Sequence, residues 1–170
     1  MEQEQKMKDI TAMKAGNTAI QFFRMPKVMF AGKETRYGGS FGSKAPEFWN
    51  ACLKNRTIQT IRKLPSIIPN SISGWTGDYS EEDKTYTYMI GTFVPPDTLI
   101  PENYSFRILP ATIVALGLYD RGFPIDATYN AMGYRTNYEL CGWNAEMYFE
   151  SDPDHTKWRT LTPVVKQTAC

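Results

Sequence analysis

The sequence predicts an α+β protein in which two β-α-β-β units form one antiparallel sheet, with two helices on one face. Two observations predict this class. Extended segments rich in β-branched and aromatic residues alternate with two stretches of helical apolar spacing, and the order of elements is the same in both halves of the 170-residue chain. The second face of such a sheet is either covered by another part of the protein or open as a cleft, where a ligand could bind.

The first half opens with a polar segment. Residues 1–18 form an extension that reads as a charged tail or a short helix ending near Gly16. The segment "AIQFFRMPKVMFAGKETRY" is rich in β-formers and is broken by Pro26, and the turn-like "GGSFGS" follows it. We therefore expect an extended stretch that is interrupted at Pro26.

The stretch "KAPEFWNACLKN" predicts a helix of about three turns. Ser43 is a favourable N-cap residue, and Pro46 and Glu47 lie in the first turn. Apolar side chains pair at i and i+4 spacing along this helix: Phe48 with Cys52, and Trp49 with Leu53.

A strand hairpin is predicted after this helix and a polar connection. Its strands are "SISGWTGDY" and "KTYTYMIGTFV", and the acidic loop "SEED" joins them. The following "PPDTLIPENY" reads as a loop, because its prolines cannot continue a strand.

The second half has the same order of elements. "YSFRILPATIVALGLYD" is an extended segment with an early proline, and "PIDATYNAMGYRTNY" predicts a second helix from the spacing of Ile125, Tyr129 and Met132. "CGWNAEMYFES" and "WRTLTPVV" are two further strands. "FRMPKVMFAG" at 23–32 also resembles "FRILPATIVALG" at 106–117, which indicates an internal duplication.

The composition limits the classes of function. The 19 basic and 18 acidic residues are balanced and form no charged block, so we expect neither direct nucleic-acid binding nor a membrane partner. The three cysteines lack metal-site spacing, the N-terminus lacks the apolar stretch of a secretory signal, and no run of about 18 apolar residues occurs. We expect a cytoplasmic protein without a metal or cofactor.

Glu146 is the central candidate for a binding residue. In a strand, Glu146 and Tyr148 share one face, because successive side chains alternate. A carboxylate beneath aromatic rings is costly to desolvate, and a lipophilic cation would remove that cost. The alternatives are an exposed strand residue or a carboxylate paired with Arg135 or Lys157.

The order and spacing of several segments resemble the GyrI-like family, the AraC-type effector-binding domains that bind small molecules. The matching segments are "FFRMPKVMFAG", "FWNACLKN", "YTYMIGTFVPPD", "ILPATIVALG", "AEMYFESDPD" and "LTPVV", and they span roughly residues 20–165. The resemblance implies a duplicated β-α-β-β fold with a ligand cleft between pseudo-symmetric halves. It places this domain at residues 19–166, between the extension 1–18 and a C-terminal tail 167–170.

The resemblance also implies a role for Glu146. In multidrug-binding members, a glutamate two positions before a tyrosine lies at the base of an aromatic cleft and contacts cationic ligands, and Glu146 with Tyr148 matches that pattern. Those regulators carry a helix-turn-helix domain, for which this sequence has no room. The chain is therefore similar to stand-alone members, including the cationic-drug-binding proteins of gene cassettes, and a partner chain would have to supply DNA binding.

Aromatic residues make up 14% of the chain, and their size and polar tips suit the walls of a binding site as well as a core. For each of them, packing in the core is the alternative. We expect four wall residues and three rim residues: Trp75, Tyr88, Trp143 and Tyr148 as walls, and Tyr37, Phe41 and Trp158 at the rim.

Three functions fit these features. The favoured one is a non-enzymatic protein that binds hydrophobic, drug-like compounds, with Glu146 favouring cations, and acts as a sensor or sequestering protein. The second is a hydrolase of reactive cytotoxic compounds, with Glu146 as base and Tyr148 or Tyr88 as orienting acid. The third is a module that binds gyrase or a regulator. A homodimer is compatible with all three, and no catalytic residue is assigned.

Overall fold

The structure is a computed structural model that describes residues 8–15, 18–38, 44–119, 134–136, 142–154 and 158–166. These ranges contain ten strands and two helices, and every strand pair among them is antiparallel. The predicted α+β class with one antiparallel sheet is confirmed. In chain order the elements are β1 Lys8–Ala15, β2 Thr18–Met25, β3 Val28–Gly38, α1 Ala45–Lys54, α2 Thr57–Ile61, β4 Ser71–Ser80, β5 Thr85–Val94, β6 Ser105–Leu109, β7 Thr112–Tyr119, β8 Tyr134–Thr136, β9 Asn144–Phe149 and β10 Trp158–Lys166.

The strand order is consistent with an internal duplication. It runs β1-β2-β7-β10-β9-β4-β5-β3-β6, and β8 pairs with β10 outside this path. Two groups of three strands, β3-β5-β4 and β7-β10-β9, each place the last strand of the unit between the other two. The groups meet where β4 pairs with β9.

One long ladder is interrupted at Pro26 and Pro110, and its register shows that the sheet curls. Met25 pairs with Thr112 on one side of the interruption, and Val28 pairs with Leu109 on the other, in a single continuous register. Proline has no N–H to donate, so the ladder breaks at Pro26 and resumes beyond it. Because β2 and β7 lie towards one end of the strand order and β3 and β6 lie at the other, this ladder brings the two ends together.

The interior of the curled sheet is a packed core. Its buried side chains come from strands all around the curl, from β2 to β10. The Phe93 ring lies 4.9 Å from the Phe30 ring and 5.8 Å from the Trp143 ring, and Trp75 stacks on Phe30 at 6.0 Å. All four side chains are at most 2% exposed, so no space for a ligand is expected among them.

The helices cover the opposite face of the sheet. Cys52 of α1 and Ile61 of α2 pack against Ile72, Tyr88 and Ile90, which alternate along β4 and β5 with the side chains of the interior. Both described helices belong to the first half. No helix in the described ranges is long and apolar enough to cross a membrane.

The helix boundaries differ from the prediction. Helix α1 begins at Ala45 with Lys44 at the N-cap position, and no side chain caps it. Ser43, the predicted cap, lies outside the described residues. Helix α2 was not predicted; it follows Arg56, whose φ of 65° turns the chain sharply, and the Asn55 side chain accepts a hydrogen bond from the Thr57 backbone at 3.1 Å.

Two segments expected to be helical or irregular contain strands. Lys8–Ala15 forms β1, which pairs with β2, because an edge strand needs only backbone hydrogen bonds and tolerates polar side chains. Tyr134–Thr136, near the end of the predicted second helix, forms β8 against β10. The remainder of that predicted helix lies outside the described residues.

We expect Phe93→Ala to lower the free energy of unfolding by about 3–5 kcal/mol, because a buried aromatic side chain is replaced by a cavity. Urea denaturation followed by circular dichroism measures this change. The matched control is Leu99→Ala, at a side chain that is 93% exposed, for which a change within about 0.5 kcal/mol is expected. Equal effects of the two substitutions would contradict the packed interior.

Candidate ligand-binding cleft

A cleft of about 750 Å³ lies between the helices and the strands at the junction of the two halves. It is mainly apolar with a few polar groups, as is common for small-molecule sites. Its principal lining side chains come from α1, α2, β4, β5 and β9: Trp49, Leu53, Ile58, Ile61, Ile72, Tyr88, Thr92, Glu146, Tyr148 and Phe149.

Strand β9 places a carboxylate and a phenol side by side in this cleft. Glu146 and Tyr148 are both half-buried, and the Tyr148 hydroxyl donates a hydrogen bond to Glu146 Oε2 at 2.9 Å. The Tyr148 ring meets the Trp49 ring edge to face, with centroids 5.0 Å apart. The hydrogen bond holds the carboxylate in one orientation and occupies one of its roughly four acceptor sites.

Strand β5 contributes a buried tyrosine. Tyr88 is 7% exposed, and its hydroxyl accepts a hydrogen bond from Trp49 Nε1 at 2.8 Å. Burial raises the pKa of Tyr88 to about 12, and the hydrogen bond from Trp49 offsets only part of this rise. Tyr88 therefore keeps its proton at neutral pH.

Gly74 makes room for the Tyr88 side chain. Gly74 lies on β4 directly opposite Glu146, and an ideal Cβ built at Gly74 would overlap the Tyr88 hydroxyl. Because position 74 has no side chain, the Tyr88 ring lies across β4 and its hydroxyl reaches the region of Glu146. A larger residue at position 74 would force the ring to move.

The charges of the cleft are unbalanced. Its charged lining residues, within the described ranges, are Glu146, Glu150 and Arg62. Arg62 pairs with Glu150 at 3.2 Å, with both side chains about half exposed. No lysine or arginine in the described part of the chain forms an ion pair with Glu146. The Arg135 side chain and Lys157, the partners considered from the sequence, lie outside what is described.

The cleft contains three of the predicted site residues, Glu146, Tyr148 and Tyr88. Tyr37 is not in the lining but packs edge to face on Tyr88, with centroids 5.8 Å apart. Phe41 lies outside the described residues, as does the side chain of Trp158.

Trp75 and Trp143, predicted as walls of the ligand site, lie in the interior of the curled sheet and not in the lining of this cleft. Trp143 is three positions before Glu146, so strand alternation directs it to the opposite face. Trp75 pairs with Ala145, whose side chain is also interior. Directly opposed residues in an antiparallel pair share a face, so Trp75 cannot reach the cleft.

The sequence reasoning missed Trp49, which contacts both tyrosines of the cleft. A signal was present, because α1 has two adjacent i, i+4 pairs. The pair Phe48 and Cys52 packs against the sheet, whereas Trp49 and Leu53 line the cleft. Helix α1 thus packs against the sheet and also lines the cleft.

No protein-family model matches the chain, and no curated protein matches it. Solved structures share its fold. A protein from Staphylococcus aureus MU50, described as a bacterial transcription regulation protein, has a TM-score of 0.59 at 16% identity, over 85% of this chain and 97% of that chain. SAV2435, solved bound to tetraphenylphosphonium, has a TM-score of 0.64 at 14% identity, over 86% of this chain and 93% of that chain. At these identities the likeness concerns the fold alone.

We expect Gly74→Ala to destabilise the protein by about 1–3 kcal/mol, because the new methyl group displaces the Tyr88 hydroxyl from its bond with Trp49. A double-mutant cycle tests this cause. In the Tyr88→Phe background the hydroxyl is absent, so Gly74→Ala should cost less than in the wild type. Strictly additive effects in urea denaturation would mean that the hydroxyl is not the obstacle.

We also expect Tyr88→Phe to make the protein less sensitive to alkali. An unfolded tyrosine loses its proton near pH 10, whereas Tyr88 in the folded protein has a pKa of about 12. A raised folded pKa contributes stability that is complete below pH 10 and is lost as the pH rises towards 12, by about 2–3 kcal/mol. Urea unfolding across this window should show a smaller loss for the variant, and an identical loss would contradict the burial of the Tyr88 proton.

Proposed function

We propose that this protein is a GyrI-like effector-binding domain that binds a hydrophobic organic cation in the cleft, with Glu146 as the counter-charge. One observation carries the proposal: a half-buried carboxylate in an aromatic cleft has no basic partner among the described residues. Desolvation of an unpaired carboxylate is costly, and a bound cation offsets that cost.

The surroundings of Glu146 favour a greasy cation over a small ion. The rings of Trp49, Tyr88 and Tyr148 line the same cleft, and a ring face within about 6 Å of a cation adds roughly 0.5–2 kcal/mol. Apolar ligand surface contributes about 25 cal/mol per Å² buried. After the costs of association, these contributions are compatible with micromolar affinity, about −8 kcal/mol.

The fold supports a choice of first probe. SAV2435, which shares this fold, was solved with tetraphenylphosphonium, a hydrophobic cation. A cleft of about 750 Å³ lies within the range of sites for drug-sized molecules. A protein that holds such compounds would act in the cytoplasm as a sensor or sequestering protein.

We expect Glu146→Gln to weaken the binding of tetraphenylphosphonium by roughly tenfold. This change corresponds to about 1.4 kcal/mol, a value between those for exposed and buried charge pairs. Glutamine keeps the size of the side chain and an oxygen for the Tyr148 hydroxyl, so the fold should persist. Isothermal titration calorimetry measures the affinity, and circular dichroism checks the fold.

Two controls isolate the carboxylate. Glu47→Gln removes an equal charge from an exposed position on the helix that carries Trp49, outside the cleft lining, and should change the affinity less than about twofold. Tetraphenylborate has nearly the shape of the phosphonium but the opposite charge, and the wild type should bind it far more weakly. Equal binding of the two ions, or wild-type affinity in Glu146→Gln, would refute the cationic proposal.

A further inference from the structure

Two of the hydrogen-bond donors at the aromatic end of the cleft are already used within the protein. Trp49 donates its indole N–H to the Tyr88 oxygen, and Tyr148 donates its hydroxyl proton to Glu146. A carboxylate has about four acceptor sites, of which Tyr148 occupies one. This end of the cleft therefore presents mainly acceptors to a ligand.

Three other hydroxyl groups of the lining are committed in the same way. Ser66 and Ser71 both donate to the carbonyl oxygen of Ile68, at 2.8 and 2.7 Å. Thr92 lies 2.7 Å from the Ser66 oxygen, and because Ser66 has given its only proton to Ile68, Thr92 donates to Ser66. Three protons are thus bound internally, while the lone pairs of Ser71 and Thr92 remain.

Some donors also remain among the described lining residues. Tyr88 retains its own proton, and Arg62, which is about half exposed, gives its Nε–H to Glu150 and has further N–H groups. Asn50 and Asn70 each bring a donor and an acceptor group, so their amides do not change the balance. Among these described residues the acceptor sites still outnumber the donors, and Glu146 is the carboxylate that has no basic partner there.

We infer that the ligand of this cleft is a protonated amine, whose N–H groups bind Glu146, rather than a quaternary or phosphonium cation. The inference rests on the proposed function and narrows its ligand class. A quaternary cation neutralises the charge of Glu146 but leaves its acceptor sites without donors, whereas an ammonium group satisfies them with charge-assisted hydrogen bonds. Sites built to hydrogen-bond a ligand discriminate strongly against analogues that lack the donor.

A methylation series tests this inference. The probes are 4-biphenylmethylammonium and its N-methyl, N,N-dimethyl and N,N,N-trimethyl derivatives, which all carry one positive charge at neutral pH. The number of N–H donors falls along the series to zero, while the apolar surface increases. We expect the dissociation constant from calorimetry to rise at least about tenfold from the primary to the trimethyl compound.

The opposite trend would overturn the inference. If only charge and apolar area matter, each added methyl group leaves the affinity unchanged or improves it. That result would be compatible with the proposed function, but it would show that the ligand needs no N–H donor. If no member of the series binds and tetraphenylphosphonium does not bind either, the proposed function itself fails.

The Glu146→Gln variant locates the donor contact. A glutamine amide brings N–H groups of its own, so the ratio of the trimethyl to the primary dissociation constant should fall towards one. Tyr148→Phe is the second variant: it removes the bond that orients the carboxylate, which should weaken the binding of every compound in the series, but it keeps Glu146 as the acceptor, so the preference for the primary compound should persist. A full preference in Glu146→Gln would mean that the amine is recognised elsewhere, which overturns the assignment to Glu146.

Discussion

The pairing of β4 with β9 joins the two halves of the sheet, and the cleft depends on its register. Gly74 lies opposite Glu146, and Trp75 lies opposite Ala145. This register directs Trp75 into the interior and leaves the carboxylate on the outer face. A shift by one residue would exchange the faces and bury the carboxylate among apolar side chains, so the hydrophobic pattern fixes the register strongly.

The curl of the sheet determines where the described cleft lies. Side chains from strands around the curl fill its interior, and the cleft lies on the outer face, beneath α1 and α2. The same constraint separates the aromatic residues into two groups. Trp75 and Trp143 stabilise the interior, whereas Trp49 and Tyr88 connect a helix to the sheet and line the cleft.

Local patterns in the sequence predict the fold class and the presence of Glu146 and Tyr148 in the cleft, but not all of the other lining residues. Alternation along one strand is sufficient to place Glu146 and Tyr148 on one face, and it places Trp143 on the opposite face. The face of Trp75 depends on its pairing with a strand about 70 positions further along the chain, which alternation alone does not provide. Strand β1 was missed because an edge strand of polar residues has no apolar alternation to detect.

In the proposed function, charge and hydrogen bonding would contribute to ligand selection in different ways. The charge of Glu146 acts over several ångströms without a preferred direction, so it tolerates cations of many shapes. Hydrogen bonds to the same carboxylate are directional, and the bond from Tyr148 fixes the orientation in which its remaining lone pairs face the cleft. Because this orientation exists before binding, a ligand does not bear the cost of ordering the carboxylate. Under the proposed function, one residue would thus accept varied apolar bodies and still distinguish an ammonium group from a methylated cation.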